Sequence, residues 1–254
     1  MATSETNIGV FVDEINTMLS RHEDPKAINN LAEKLLKATT KTYDTICFKY
    51  SDIRPIKDID RRRWDYIGQW IAKELHKRNH AVDVLDVGTG SGRDIIYARE
   101  LGYNVVGIDN SDGFIKILSQ LEAKGFIPPH SFFQCDMRSL CFPDAKFDVV
   151  RHNATLLHLP MITKGYMADL AISEANRVLK PGGLIFISVK KGEEIEFIDT
   201  DEGLGGRVFQ FYSHDMLTAL LERNGFTILD TFDDVEERVH STIEWICVMA
   251  KKQE

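Results

Sequence analysis

The stretch VLDVGTGSGRD, Val84 to Asp94, constrains this 254-residue chain more than any other. An apolar run that reads as a buried strand ends in an acid, Asp86, and is followed by Gly88, Gly90 and Gly92. A helical pattern then opens at Asp94-Ile95-Ile96-Tyr97-Ala98. Strand, glycine turn and helix together bring backbone N–H groups and a helix N-terminus against a nucleotide-like ligand. A dinucleotide suits this turn poorly. The third glycine follows the second by two residues instead of three, and Asp86 would face a pyrophosphate with like charge. A ligand with positive charge and no phosphate fits better.

The flanking pattern sets the fold class. After Ala81 short apolar runs alternate with helical periodicity, the signature of an α/β fold with a mostly parallel sheet. Strands are expected at Val82–Val87, Asn104–Ile108, Ser131–Gln134, Phe147–His152 and Gly183–Val189, with helices at Arg93–Leu101, Asp112–Lys124 and Thr163–Leu179 between them. Lys180-Pro181-Gly182-Gly183 should break the last of these helices. A helix from Ser213 to Arg223 and the runs Phe226–Thr231 and Ile243–Ala250, an antiparallel edge pair, close the chain. Ahead of Ala81 the spacing is helical from Ile8 to Ser20, Pro25 to Thr39 and Asp60 to Arg78, with a less regular aromatic stretch from Thr40 to Asp60. Residues 1–60 therefore read as a helical cap or lid, and 61–254 as the main domain.

Three strand ends carry side chains suited to a ligand. Asp109 closes VVGIDNS, 21 residues beyond Gly88, the spacing at which an acid accepts from both ribose hydroxyls. Asp136 and Met137 follow the third strand and would hold an adenine by its amino group and its face. The fourth strand leaves through Arg151-His152-Asn153, with His158 shortly after, and strand ends of this kind face the crevice of an open sheet.

The series VLDVGTGSGRD, VVGIDNS, QCDM, FDVVRHNATLLHLP and RVLKPGG resembles the class I S-adenosylmethionine-dependent methyltransferases. GGRVFQFYSHDMLTALLERNGF resembles the tail of their small-molecule branch. Thr89 departs from the Cys or Gly-Cys often found there. The resemblance implies a doubly wound, Rossmann-like sheet of seven strands, parallel except for one near the edge. It implies S-adenosylmethionine as cofactor, whose ammonium and sulfonium match the acid at the turn. Asp86, Gly88, Thr89 and Gly90 would then line its methionine end, Asp109 and Asn110 its ribose, Asp136 and Met137 its adenine, with Asn153 beside the sulfonium.

Methyl transfer from a sulfonium needs alignment and exclusion of water. An alcohol, phenol or amine acceptor must also lose a proton, and His158 and His152 are the candidates to take it. Tyr43, Tyr50, Arg207, Phe209 and Tyr212 are candidate acceptor contacts, the arginine for an anion. The loop Glu193 to Gly206 reads as a mobile gate. The leading expectation is methylation of an O or N atom of a small molecule; a tRNA or protein methyltransferase, or a non-catalytic cofactor-binding partner subunit, stands behind it.

Bulk properties narrow the partners. A net charge of -8 disfavours nonspecific nucleic-acid binding, and the cluster Arg61-Arg62-Arg63 reads as a solvated helix start. Cys47, Cys135, Cys141 and Cys247 show no metal spacing and read as buried, reduced thiols. No leader or membrane-length apolar run is visible, so a cytoplasmic setting without membrane contact is expected. A homodimer is compatible with the sequence.

Overall fold

The computed structural model describes residues 17–18, 24–51, 56–76, 80–160, 166–192, 195–199, 205–238 and 241–253. The helix expected from Ile8 to Ser20 lies outside them apart from Thr17 and Met18, which are helical. In chain order the elements are α1 (Pro25–Ile46), α2 (Phe48–Ser51), α3 (Asp58–Glu74), β1 (Asp83–Val87), α4 (Arg93–Glu100), β2 (Asn104–Asp109), α5 (Asp112–Ala123), β3 (Phe132–Gln134), β4 (Phe147–Asn153), α6 (Tyr166–Val178), β5 (Leu179–Lys190), β6 (Ile195–Asp199), β7 (Gly206–Gln210), α7 (His214–Arg223), β8 (Phe226–Arg238) and β9 (Ser241–Lys252). A single 3₁₀ turn, Leu156–His158, follows β4.

Seven strands form one sheet in the order β3-β2-β1-β4-β5-β9-β8. Neighbours among β1 to β5 pair in parallel, whereas β9 runs antiparallel to both β5 and β8. The sheet is thus the expected Rossmann-like one, with β4 at its centre, β1 beside it, and one reversed strand next to the edge.

The two-residue side-chain period of a strand sorts the core onto two faces. Leu85, Val87, Val150, Ile185 and Ile187 pack with α1, α6 and α7 through Leu35, Ile172 and Leu217. Val84, Val149, Leu184 and Phe186 pack on the opposite side with α3, α4 and α5 through Trp64, Ile95 and Leu118. Covering both faces buries the inner strands almost completely, their charged residues included.

Three expectations are corrected. Helix α1 runs seven residues past Thr39 despite its β-branched threonines. Their hydroxyls explain it: Thr42 donates to the Gly206 carbonyl at 2.7 Å, and Thr39 accepts from the Val208 amide at 3.1 Å. The Lys180-Pro181-Gly182-Gly183 break is a bulge within β5, where the pairing with β4 slips between Phe147 and Val149. Part of the expected loop from Glu193 to Gly206 is the strand β6, paired antiparallel with β7; 193–194 and 200–204 lie outside the described residues.

Candidate active site

Two adjoining cavities open at the carboxyl ends of β1, β2 and β4, where parallel sheets of this kind place their ligands. The first, of about 270 Å³, is lined by Gly88, Gly90, Asp109, Asn110, Asp136 and Met137 among others. The second, of about 530 Å³, lies between α1, α3, β7 and β9. Tyr43, Tyr50, Arg93, Asn153, Ala154 and His158 belong to both, so they form the shared wall.

The glycine turn is shaped by its neighbours. Gly88 has φ +73°, and a Cβ there would lie 2.4 Å from the Thr155 side chain, so only glycine brings the backbone this close. Asp109 accepts from the Gly90 and Ser111 amides, both at 2.9 Å. Burial outweighs these bonds and pushes its carboxyl up to about 6. Asp136 receives the Arg138 side chain at 2.7 Å, and Arg138 reaches on to Glu33 of α1 at 2.5 Å. Burial works against the Asp136 charge, yet the Arg138 guanidinium and amide hold that carboxyl below its usual range.

Asp86 and Thr89 do not stand where the motif suggested. Asp86 falls on the α3–α4 face with Arg151, its register partner on β4. Arg151 approaches it at 2.7 Å and Asp94 at 3.0 Å, and its guanidinium lies 4.6 Å from the Trp64 ring. All of this is buried and none of these four residues lines either cavity. The Asp86 charge is therefore spent inside the protein. Thr89 packs its methyl over Gly107, where a Cβ would meet it at 2.6 Å.

A different acid faces the second cavity. Asp60, at the start of α3, accepts from Arg93 at 3.1 Å and from Asn153 Nδ2 at 3.0 Å. Asn153 in turn accepts from Arg63 at 2.9 Å and from Ser188 at 2.7 Å. Arg63 is no solvated arginine: it is 3% exposed, bonded to Asp234 at 3.0 Å and stacked over Trp245. Nothing in the local sequence marks Asp60 or Arg93 as site residues. Ser111 was more legible, as the N-cap of α5. Cys141 is also exposed rather than buried.

Of the two candidate histidines only His158 reaches the cavities. Its Nδ1 lies 2.8 Å from the Val208 carbonyl, which places the ring hydrogen there. The other nitrogen, Nε2, accepts from the Tyr43 hydroxyl at 2.9 Å. Burial lowers the His158 pKa to about 4 and raises that of Tyr43 to about 12, so both stand neutral. His152 alternates onto the face opposite Arg151, is 1% exposed, and has no hydrogen-bond partner on either nitrogen among the described residues. Tyr212 is likewise a fully buried core residue outside both cavities. Arg207 and Phe209 line the second cavity, and Arg207 donates to the Tyr50 hydroxyl at 2.9 Å.

Residues 85–187, from β1 to the middle of β5, match the methyltransferase domain family. That segment resembles a methyltransferase domain, and the sheet around it has the Rossmann-like fold of S-adenosylmethionine-dependent methyltransferases. The domain is 32% identical over 208 residues to a sterol 24-C-methyltransferase of Eremothecium gossypii, covering 71% of this chain and 54% of that protein. It is 32% identical over 139 residues to the ubiquinone/menaquinone biosynthesis C-methyltransferase UbiE of Teredinibacter turnerae, covering 53% and 50%. The chain thus spans about half the length of these relatives. Among solved structures, the fold matches a Burkholderia thailandensis 1,6-didemethyltoxoflavin-N1-methyltransferase bound to its substrate and S-adenosylhomocysteine. That match has a TM-score of 0.65 at 18% identity, over 87% of this chain and 90% of that one. Among the described residues no helix is long and apolar enough to cross a membrane.

Proposed function

We propose that this chain is an S-adenosylmethionine-dependent methyltransferase acting on an O or N atom of a small molecule. The residues present fit the cofactor. Gly88 and Gly90 leave backbone room, Asp109 faces the first cavity as a ribose acceptor, and Asp136 and Met137 stand ready for the adenine. Because Asp86 lines neither cavity, the methionine end falls to Asp60 and Arg93, a carboxylate and a guanidinium in the cavity wall for its ammonium and carboxylate. When bound, S-adenosylmethionine supplies an electrophilic methyl group on a sulfonium.

The observation that carries the reading is the Tyr43–His158 pair in the wall shared by the two cavities. A neutral imidazole with its Nδ1 hydrogen fixed on Val208 has one nitrogen left to accept a proton, and Tyr43 already donates to it. An acceptor hydroxyl or amine beside Tyr43 passes its proton along that bond as the methyl arrives. Residues 24–51 roof the site and exclude water, acting as its lid.

The test is calorimetric titration of the full chain with S-adenosylhomocysteine, followed by transfer of labelled methyl to an acceptor panel and NMR of the product. Micromolar binding and an O–CH₃ or N–CH₃ signal are expected. A chain indifferent to both S-adenosylmethionine and S-adenosylhomocysteine ends the proposal, and a C–CH₃ product overturns the choice of acceptor atom.

A further inference from the structure

From the charge arrangement of the second cavity we infer that the acceptor is a compact anion, a carboxylate or phosphate ester, anchored by Arg207. The inference rests on the methyltransferase reading and names its substrate class. The chain is acidic overall, yet the charged residues lining this cavity are seven Lys and Arg against two acids. Its acids are already engaged: Asp60 by Arg93 and Asn153, Glu236 by Lys57 and Arg238.

Arg207 stands apart from those pairs. It lines the cavity from β7 and has no carboxylate within ion-pair distance among the described residues. Its Nη1 donates to Tyr50, while its Nε is buried with no acceptor. The guanidinium lies 5.5 Å from the Tyr43 ring centre and 5.4 Å from that of Phe209. Aromatic faces hold such a cation in place but do not neutralise it. The planar fork of this half-buried guanidinium matches a carboxylate or phosphate. An anion seated in the cavity would satisfy that fork.

Distance makes that acceptor small. Arg207 is within one ring of Tyr43, the donor to His158, and the His158 and Phe209 rings are 4.9 Å apart. An anion held by Arg207 therefore sits close to Tyr43 and the proton-accepting His158. Tyr50 supplies a face for a planar acid.

The experiment titrates the full chain, saturated with S-adenosylhomocysteine, with benzoate, phenyl phosphate and neutral benzamide. At least one anion should bind tenfold or more tightly than benzamide, and the tighter of the two identifies the charged group. Arg207→Gln should abolish this preference while leaving S-adenosylhomocysteine affinity unchanged. Arg207→Lys, which keeps the charge but loses the fork, should fall between and serves if the glutamine variant does not fold. Benzamide binding as tightly as both anions, or an anion preference surviving in either folded variant at wild-type strength, overturns the inference. If S-adenosylhomocysteine itself fails to bind, the methyltransferase reading falls; the same titration without it then still decides for or against an anion site at Arg207.

Discussion

The Arg151 guanidinium sits 2.7 Å from the Asp86 carboxylate, and neither side chain is more than 2% exposed. The acid at the end of β1 is thus bonded to a neighbouring strand instead of to a ligand. Asp94 and the Trp64 ring complete the cage, with Trp64 donating to Asp94 at 2.8 Å. Burial pushes the Asp86 carboxyl up, with Arg151 opposing it.

Removing Arg151 strands two buried carboxylates. Arg151→Met should cost about 3–5 kcal/mol of folding stability, the usual penalty for breaking a buried pair. Urea denaturation at pH 7 measures it. Asp86→Asn should lower stability as well but leave S-adenosylhomocysteine affinity within about threefold, since the residue does not line the cavity. A tenfold or greater loss of affinity in a stably folded Asp86→Asn protein would show that the acid reaches the ligand after all.

Asp109 should give opposite pH signs for stability and for binding. Its folded pKa of about 6 lies above the usual 3.8. Between those values the folded chain holds a proton that the unfolded chain has released, so its contribution to stability declines as pH rises from 4 to 6. Ribose hydroxyls donate to the carboxylate form, so cofactor affinity should climb over the same range and level off above pH 6. Asp109→Asn should flatten both profiles and weaken S-adenosylhomocysteine at least tenfold at pH 7.5, by calorimetry.

His152 is buried as the neutral ring, and burial lowers its pKa to about 3. Below pH 6.5 the unfolded chain takes up a proton that the folded chain refuses. The stability this ring permits is complete above pH 6.5 and is lost progressively as pH falls toward 3. His152→Phe should remove up to about 1.4 kcal/mol per pH unit from the acid slope, read from urea midpoints between pH 4 and 7. An unchanged slope would place the acid sensitivity elsewhere.

Tyr43 and His158 should act as a unit. His158→Gln is expected to lower kcat by about 10²–10³, within the usual range for loss of a positioned base. Tyr43→Phe should lower it comparably, and the double variant little further. Calorimetry should find S-adenosylhomocysteine affinity unchanged in all three. If the acceptor atom is itself a carboxylate oxygen, no proton needs to leave and kcat will survive both changes.

The cofactor side of the fold was legible because its signals are local. Strand, glycine turn and helix start occupy consecutive residues, and the alternation of strand and helix periodicity from β1 to β5 marks a mostly parallel sheet. The misplaced residues share one cause. Asp86, His152 and Tyr212 occupy strand ends or neighbouring turns where a one-residue step decides between cavity and core, and that choice depends on partners far along the chain. Arg151 could not be assigned to Asp86 without the β1–β4 register. Asp60 reached the site only because α3 packs its first turn against Arg93 and Asn153. The length of α1 depended on hydroxyl bonds to β7, some 164 residues away.

That clasp between α1 and β7 divides the protein's inheritance. The strand ends and turns that line the first cavity come from one stretch of chain, Val87 to Leu159, with α1 and α2 closing over them, whereas the second cavity adds residues from both flanks. Substitutions in the flanks can therefore reshape the second cavity while the middle stays as it is. Relatives that share the core segment yet act on chemically unlike compounds are what such a division of labour produces.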